Sequence, residues 1–196
     1  MNVPIRKAIP ISMTEEDYVA FLATRSEEER WQLIDGNPFM MTSPTGTHQR
    51  IASNLGRLLD SSLETNRPTL ATLPEIGVRI PGHPKFLPIP NLVVADALAP
   101  PSSYLDKFYL AAEVLSESNT PEFIELKVSR YGLHPDNLYT LVIHQIEIRC
   151  EVWSRASGWT RTVLEGPDAL LDLPEFGYRK SLRPLYRNTM VAPVDV

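Results

Sequence analysis

Two stretches of this chain are apolar without alternation: Leu92-Val93-Val94-Ala95, and Tyr109 to Leu115, which reads YLAAEVL and is broken only by Glu113. Successive side chains of an extended strand point to opposite faces, so a run that is apolar at every position is apolar on both. A strand of that kind has to be covered on both sides. These runs are therefore inner strands of a layered domain, in which helices pack against a sheet.

The neighbouring segments supply that cover. Thr14 with Asp17 opens a short helix carrying Tyr18, Phe21 and Leu22, and Ser26 with Glu29 forms a second S-x-x-E start for about one turn. Trp31 to Ile34, Asp35-Gly36 and Phe39 to Met41 read as a hairpin, because Asp-Gly supplies the positive φ angles of a tight turn. Thr47 is placed as the N-cap of the clearest helix, on which Ile51, Leu55, Leu58, Leu59 and Leu63 fall at helical spacing. Residues 69 to 80 are strand-like and broken at Pro74. Thr120 caps a helix with Pro121 in its first turn and an end near Gly132. Residues 138–143, 147–153 and 159–164 complete the strands, the last two joined at Ser157-Gly158.

The fold class is α/β (α+β), a mixed β-sheet flanked by helices, in one domain over 13–190 with an N-terminal arm 1–12 and a C-terminal tail 191–196. Val3, Ile5, Ile9 and Ile11 of the arm have little to pack against locally, and their spacing suits a strand completed by a second copy. A homodimer is the expectation.

Composition excludes more than it selects. A chain of 196 residues is long enough for a core without staples, and its single cysteine, Cys150, precludes an internal disulfide and a cysteine-based zinc site. No signal-peptide core and no long apolar span occur, which points to a soluble, cytoplasmic protein without membrane contact. Nineteen Lys and Arg against 24 Asp and Glu give a net charge of −5. That argues against a coat held on nucleic acid by charge alone, but not against an enzyme touching DNA through one patch. The basic run Arg179, Lys180, Arg183 and Arg187 reads as a solvated face. His83, His134 and His144 have no metal-ligand spacing, and no phosphate-loop or nucleophile-elbow motif is present.

Glu113 is the one ionisable residue inside an apolar strand. A carboxylate there sits at an edge, is salt-bridged, or is functional. Asn91 lies at the polar start of the preceding apolar run, and Lys127 lies beside the packed stripe Ile124, Val128 and Tyr131 of the following helix, so its stem reaches toward Glu113. An oxygen ligand, a carboxylate and a lysine of this kind make a Mg²⁺-assisted phosphodiester-cleaving site. The expected geometry clusters the three heads at a sheet edge, open to solvent. His48, at a helix start, is a candidate for phosphate contact.

At these residues the chain resembles the Uma family of putative restriction endonucleases. Trp31-Gln32-Leu33-Ile34-Asp35-Gly36, Met41-Thr42-Ser43-Pro44 and His48 resemble the family's E-L-I-D-G hairpin, S-P and helix-opening His. Pro90-Asn91-Leu92-Val93-Val94 resembles its P-D-V-V-V strand, Ala112 to Ser116 its V-E-V-L-S strand, and Lys127 to Tyr131 its K-x-x-x-Y helix. The resemblance covers residues 13 to 190 and implies the PD-(D/E)xK nuclease core, a DNA substrate and a Mg²⁺ (or Mn²⁺) cofactor. By the same resemblance Glu113, Lys127, Asn91 and Gln32 are catalytic positions, Asn91 and Glu113 being the metal positions.

Three acids of the pattern are missing: Asn91 replaces the metal-binding Asp, Gln32 a Glu, and Phe123 an acid four residues before Lys127. Leu115 fills the strand position that carries lysine elsewhere in the superfamily. Asp96 is no substitute, because it points to the opposite face about 16 Å along the strand; Glu75 is the better second acid. Two readings follow: a metal-dependent DNA endonuclease impaired at Asn91, or a non-catalytic nuclease-fold protein serving as a DNA-binding or protein-interaction partner.

Overall fold

In the inner strands the even-numbered residues face one layer and the odd-numbered residues the other. The computed structural model describes residues 12–98, 101–116 and 119–191. In chain order the elements are α1 (Glu15–Leu22), β1 (Trp31–Ile34), β2 (Asn37–Met40), α2 (Gly46–Asn66), β3 (Leu70–Pro74), β4 (Gly77–Val78) and β5 (Leu92–Asp96). There follow β6 (Tyr104–Leu105), β7 (Leu110–Val114), α3 (Pro121–Gly132), β8 (Tyr139–Ile143), β9 (Arg149–Ser154), β10 (Arg161–Glu165), β11 (Leu170–Leu173) and β12 (Tyr178–Ser181).

Six strands form the main sheet in the order β10-β9-β8-β7-β5-β3. The β7–β8 pair is parallel and the other pairs are antiparallel. Helix α3 makes the crossover that a parallel pair requires. The two runs apolar on both faces, β5 and β7, are inner strands, as their sequence demands.

Leu92, Val94, Leu110 and Ala112 pack against Ile51, Leu55, Leu59 and Leu63 of α2, with Phe176 and Tyr178 closing the layer. Val93, Ala95 and Ala111 face the opposite layer, with Phe86, Phe108 and Tyr131 of α3. Asn54 ties the end of the chain to α2, its Nδ2 donating to the carbonyls of Leu185 and Arg187 at 2.9 Å each.

Local signals mostly hold. Thr14 forms a capping box with Asp17, and Thr120 caps α3 with Pro121 in its first turn. The β1–β2 hairpin turns at Asp35 and Gly36, with φ of 46° and 82°. The cap of α2 is Thr45 and not Thr47: its hydroxyl accepts from His48 N at 3.1 Å, which leaves Thr47 inside the first turn. Ser26 and Glu29 close a hydrogen-bonded turn but no helix, because no apolar stripe follows to hold one. The break at Pro74 is sharper than expected, since β4 leaves the main sheet to pair with β6. The β11–β12 hairpin is not placed by the sequence reading. The expected arm strand, and the dimer built on it, fall on residues 1–11, outside the described residues. Among the described residues no helix is long and apolar enough to cross a membrane.

Leu59 is fully buried between α2 and the sheet, whereas Val163 on edge strand β10 is 37% exposed. Leu59→Ala is expected to cost about 2–5 kcal/mol through lost transfer energy and the cavity left behind. Val163→Ala is expected to change stability by under about 0.5 kcal/mol. Urea unfolding of the two variants checks both values.

Candidate active site

The register of β5 against β7 sets Leu92 opposite Ala112. Carried one step further, it sets Asn91 opposite Glu113, on the face toward α3. Lys127 and Tyr131 lie four residues apart on α3 and so share the face that descends onto Glu113. Lys127 Nζ is 2.5 Å from Glu113 Oε1, and the Tyr131 hydroxyl donates to the same oxygen at 2.7 Å. Glu113 and Lys127 are only 5% and 2% exposed. Burial, with the Glu113 charge adding, pushes the Tyr131 hydroxyl far above the usual phenol range, so it stays a proton donor.

The sheet edge is not where this cluster sits. Glu113 is on β7, flanked by β5 and β8, near the end of a central strand. The solvent opening comes from a cavity of about 310 Å³ beside the strand end, lined among others by Gln32, His48, Asn91, Glu113 and Lys127. All five candidate positions therefore meet in one cleft. Asp96 stands apart, bonded by the Tyr109 hydroxyl at 2.9 Å and paired with Lys107.

Asn91 is 8% exposed, and its Oδ1 accepts from the backbone N–H of Val114 at 2.8 Å. A buried N–H needs an acceptor, so this bond decides which end of the amide is which. The Nδ2 end is left without a hydrogen-bond partner among the described residues. Gln32 likewise spends its Oε1 on Ile89 N, at 3.5 Å. His48 is 5% exposed with Nδ1 unpartnered. Burial holds its imidazole below the ordinary histidine range, against the opposing pull of the Val114 backbone, Glu75, Glu113 and Asn91.

Sequence reasoning missed two contributors. Arg30, just before β1, pairs with Glu75 at 2.5 Å on the cleft wall. Glu75 carries φ of 51° just after β3, and its N–H is held by the Asn91 carbonyl at 3.2 Å. The second is the Tyr131 hydroxyl. Tyr131 reads in the sequence as one of an apolar stripe, although its i+4 spacing from Lys127 signals a shared target.

A family profile matches residues 15–182 of the chain, under the description "Uma2: Putative restriction endonuclease". The chain belongs to the Uma2 family. Among solved structures, the crystal structure of a putative nuclease belonging to DUF820 from Anabaena variabilis ATCC 29413 superposes with a TM-score of 0.73 at 18% identity, covering 89% of this chain and 97% of that one. No curated protein matches. The Uma2 membership and the shared fold agree with a restriction-endonuclease-like mixed sheet flanked by helices.

Nucleases of this type generally work with a divalent metal, and the donor set of this Uma2 chain does not fit one. A hard dication needs several oxygens, carboxylates foremost. Asn91 Oδ1 is committed to Val114, Glu75 to Arg30, and Phe123 stands where an acid is expected. Glu113 Oε2 and Glu75 Oε1 are the carboxylate oxygens without a side-chain partner, and among the described residues no three of His, Cys, Asp and Glu converge to hold a metal ion.

Lys127→Met strands the Glu113 charge in a buried position and is expected to cost about 3–5 kcal/mol. The double variant Glu113→Gln/Lys127→Met is expected to recover most of that loss, because both charges go together. Tyr131→Phe should cost about 1.5–3 kcal/mol, the value of a hydrogen bond to a charged group. Equilibrium denaturation of the three variants measures all of these.

Proposed function

We propose that this chain uses the restriction-endonuclease framework to engage DNA at the Glu113–Lys127 cleft, with metal-dependent phosphodiester cleavage impaired by Asn91. The observation that carries the reading is the bond from Val114 N–H to Asn91 Oδ1. An aspartate in that place satisfies Val114 with one oxygen and still offers a charged oxygen to the cleft. Asparagine satisfies Val114 equally well and offers an amide donor instead, which a dication does not bind.

The retained parts support engagement of the substrate. Lys127 places its ammonium on the cleft floor, where it neutralises Glu113 and stands ready to meet the charge of a phosphodiester. Tyr131 and Lys127 share Glu113 Oε1, so the other oxygen of this cavity-lining carboxylate has no side-chain partner. His48 stands at the N-terminal turn of α2, where the helix dipole favours a phosphate. The acidic whole-chain charge of −5 confines such contact to this patch.

Mn²⁺ calorimetry and a plasmid-nicking assay test the proposal on wild type and Asn91→Asp. Metal affinity and nicking are expected to rise by about 10–100-fold in the variant. Full Mg²⁺-dependent nicking by the wild type, unchanged in Asn91→Asp, overturns the impairment. Failure of both proteins to bind duplex DNA overturns the DNA reading.

A further inference from the structure

We infer that Asn91 turns the metal position of this fold into a direct binding subsite for a phosphate oxyanion, held without any metal. The inference rests on the reading of the cleft given above and names the ligand chemistry at its floor. One nitrogen carries it. Asn91 Nδ2 belongs to a side chain more than nine-tenths buried, lines the cavity, and has no hydrogen-bond partner among the described residues. His48, 5% exposed, lines the same wall beside Asn91, its Nδ1 sealed from solvent. An amide N–H₂ on the cavity wall with no protein acceptor is a donor that an anionic oxygen can engage.

Charge favours the same ligand. The carboxylates facing the cleft, Glu113 and Glu75, are each covered by a cation, Lys127 and Arg30. The side-chain charges therefore cancel. What remains is the positive ends of α2, 21 residues long and capped by Thr45, and of α3, 12 residues long and capped by Thr120. Pro44 and His48 bring the first end to the cavity wall, and Asn119 and Thr120 bring the second. An aspartate at 91 adds one negative charge and inverts this preference toward a cation. A single nitrogen in place of oxygen thus decides the sign of the ligand.

The test is ¹⁵N NMR of the full chain in EDTA, reading the Asn91 side-chain N–H₂ signal, which is assigned by its disappearance in Asn91→Asp. The probes are inorganic phosphate and, separately, a short DNA duplex. A saturable phosphate-induced shift of that signal is the expected result, with affinity about tenfold lower in Asn91→Asp, read in both proteins from the backbone amide of Val114. Asn91→Asp keeps an acceptor for Val114 N–H, and unchanged amide signals away from the cleft verify its fold. A shift with the duplex but not with free phosphate supports the subsite and names backbone phosphate as its source. A shift with phosphate and no duplex binding keeps the subsite and defeats the DNA reading. Duplex binding that leaves the Asn91 signal unmoved, or is equally tight in Asn91→Asp, defeats the subsite and leaves the DNA reading standing. Silence toward both probes overturns the subsite.

Discussion

The buried pair between Glu113 and Lys127 is the constraint around which the cleft is arranged. A charge on an inner strand is tolerable only if a partner reaches it, and the partner arrives on α3, the crossover between β7 and β8. With Ile124 and Val128 packed on Val142, that contact places α3 over the sheet. It also brings Tyr131 onto the same carboxylate oxygen, so two buried donors hold one acceptor. Buried ion pairs add little net stability, since desolvation cancels much of the attraction. What this one contributes is orientation: it engages one oxygen of the carboxylate, leaves the other without a side-chain partner, and sets an ammonium in the cavity lining.

The second determinant is a backbone amide. Val114 N–H lies at the end of the inner strand β7, buried and in need of an acceptor, and Asn91 supplies it. This structural demand is met equally by Asn or Asp, so the residue at 91 sets the charge presented to the cleft without altering the acceptor that Val114 requires. The architecture shared at 18% identity with the Anabaena variabilis structure reflects the same separation. Strand burial and helix packing specify the framework, and a few polar atoms at the strand ends specify what it binds.

Much of the fold was legible because burial on both faces leaves an unambiguous mark. The runs at 92–95 and 109–115 could only be inner strands, and the stripe from Ile51 to Leu63 could only face a core. The turn at Asp35-Gly36 and the cap at Thr120 follow from backbone chemistry that acts within four residues. The α2 start was misplaced by two residues because Thr45 and Thr47 are equally good caps in isolation. The hydroxyl of Thr45 also bonds Gln145, a hundred residues away, a choice no local rule contains.

The sequence alone determined which side chains had to be reconciled: a carboxylate in an apolar strand, a lysine beside a packed helix stripe, and an amide opening the neighbouring strand. Their residue types and periodicities carry that information, since hydrophobic burial and strand alternation are written residue by residue. Only the tertiary structure decided that the cluster lies near the end of a central strand rather than at a sheet edge. It also decided that Tyr131 joins it and that Glu75 is already taken by Arg30. The orientation of the Asn91 amide belongs to the same class, because its oxygen is claimed by an N–H 23 residues away. Hydrogen bonds between strands depend on register, and register is settled only when the whole sheet is assembled.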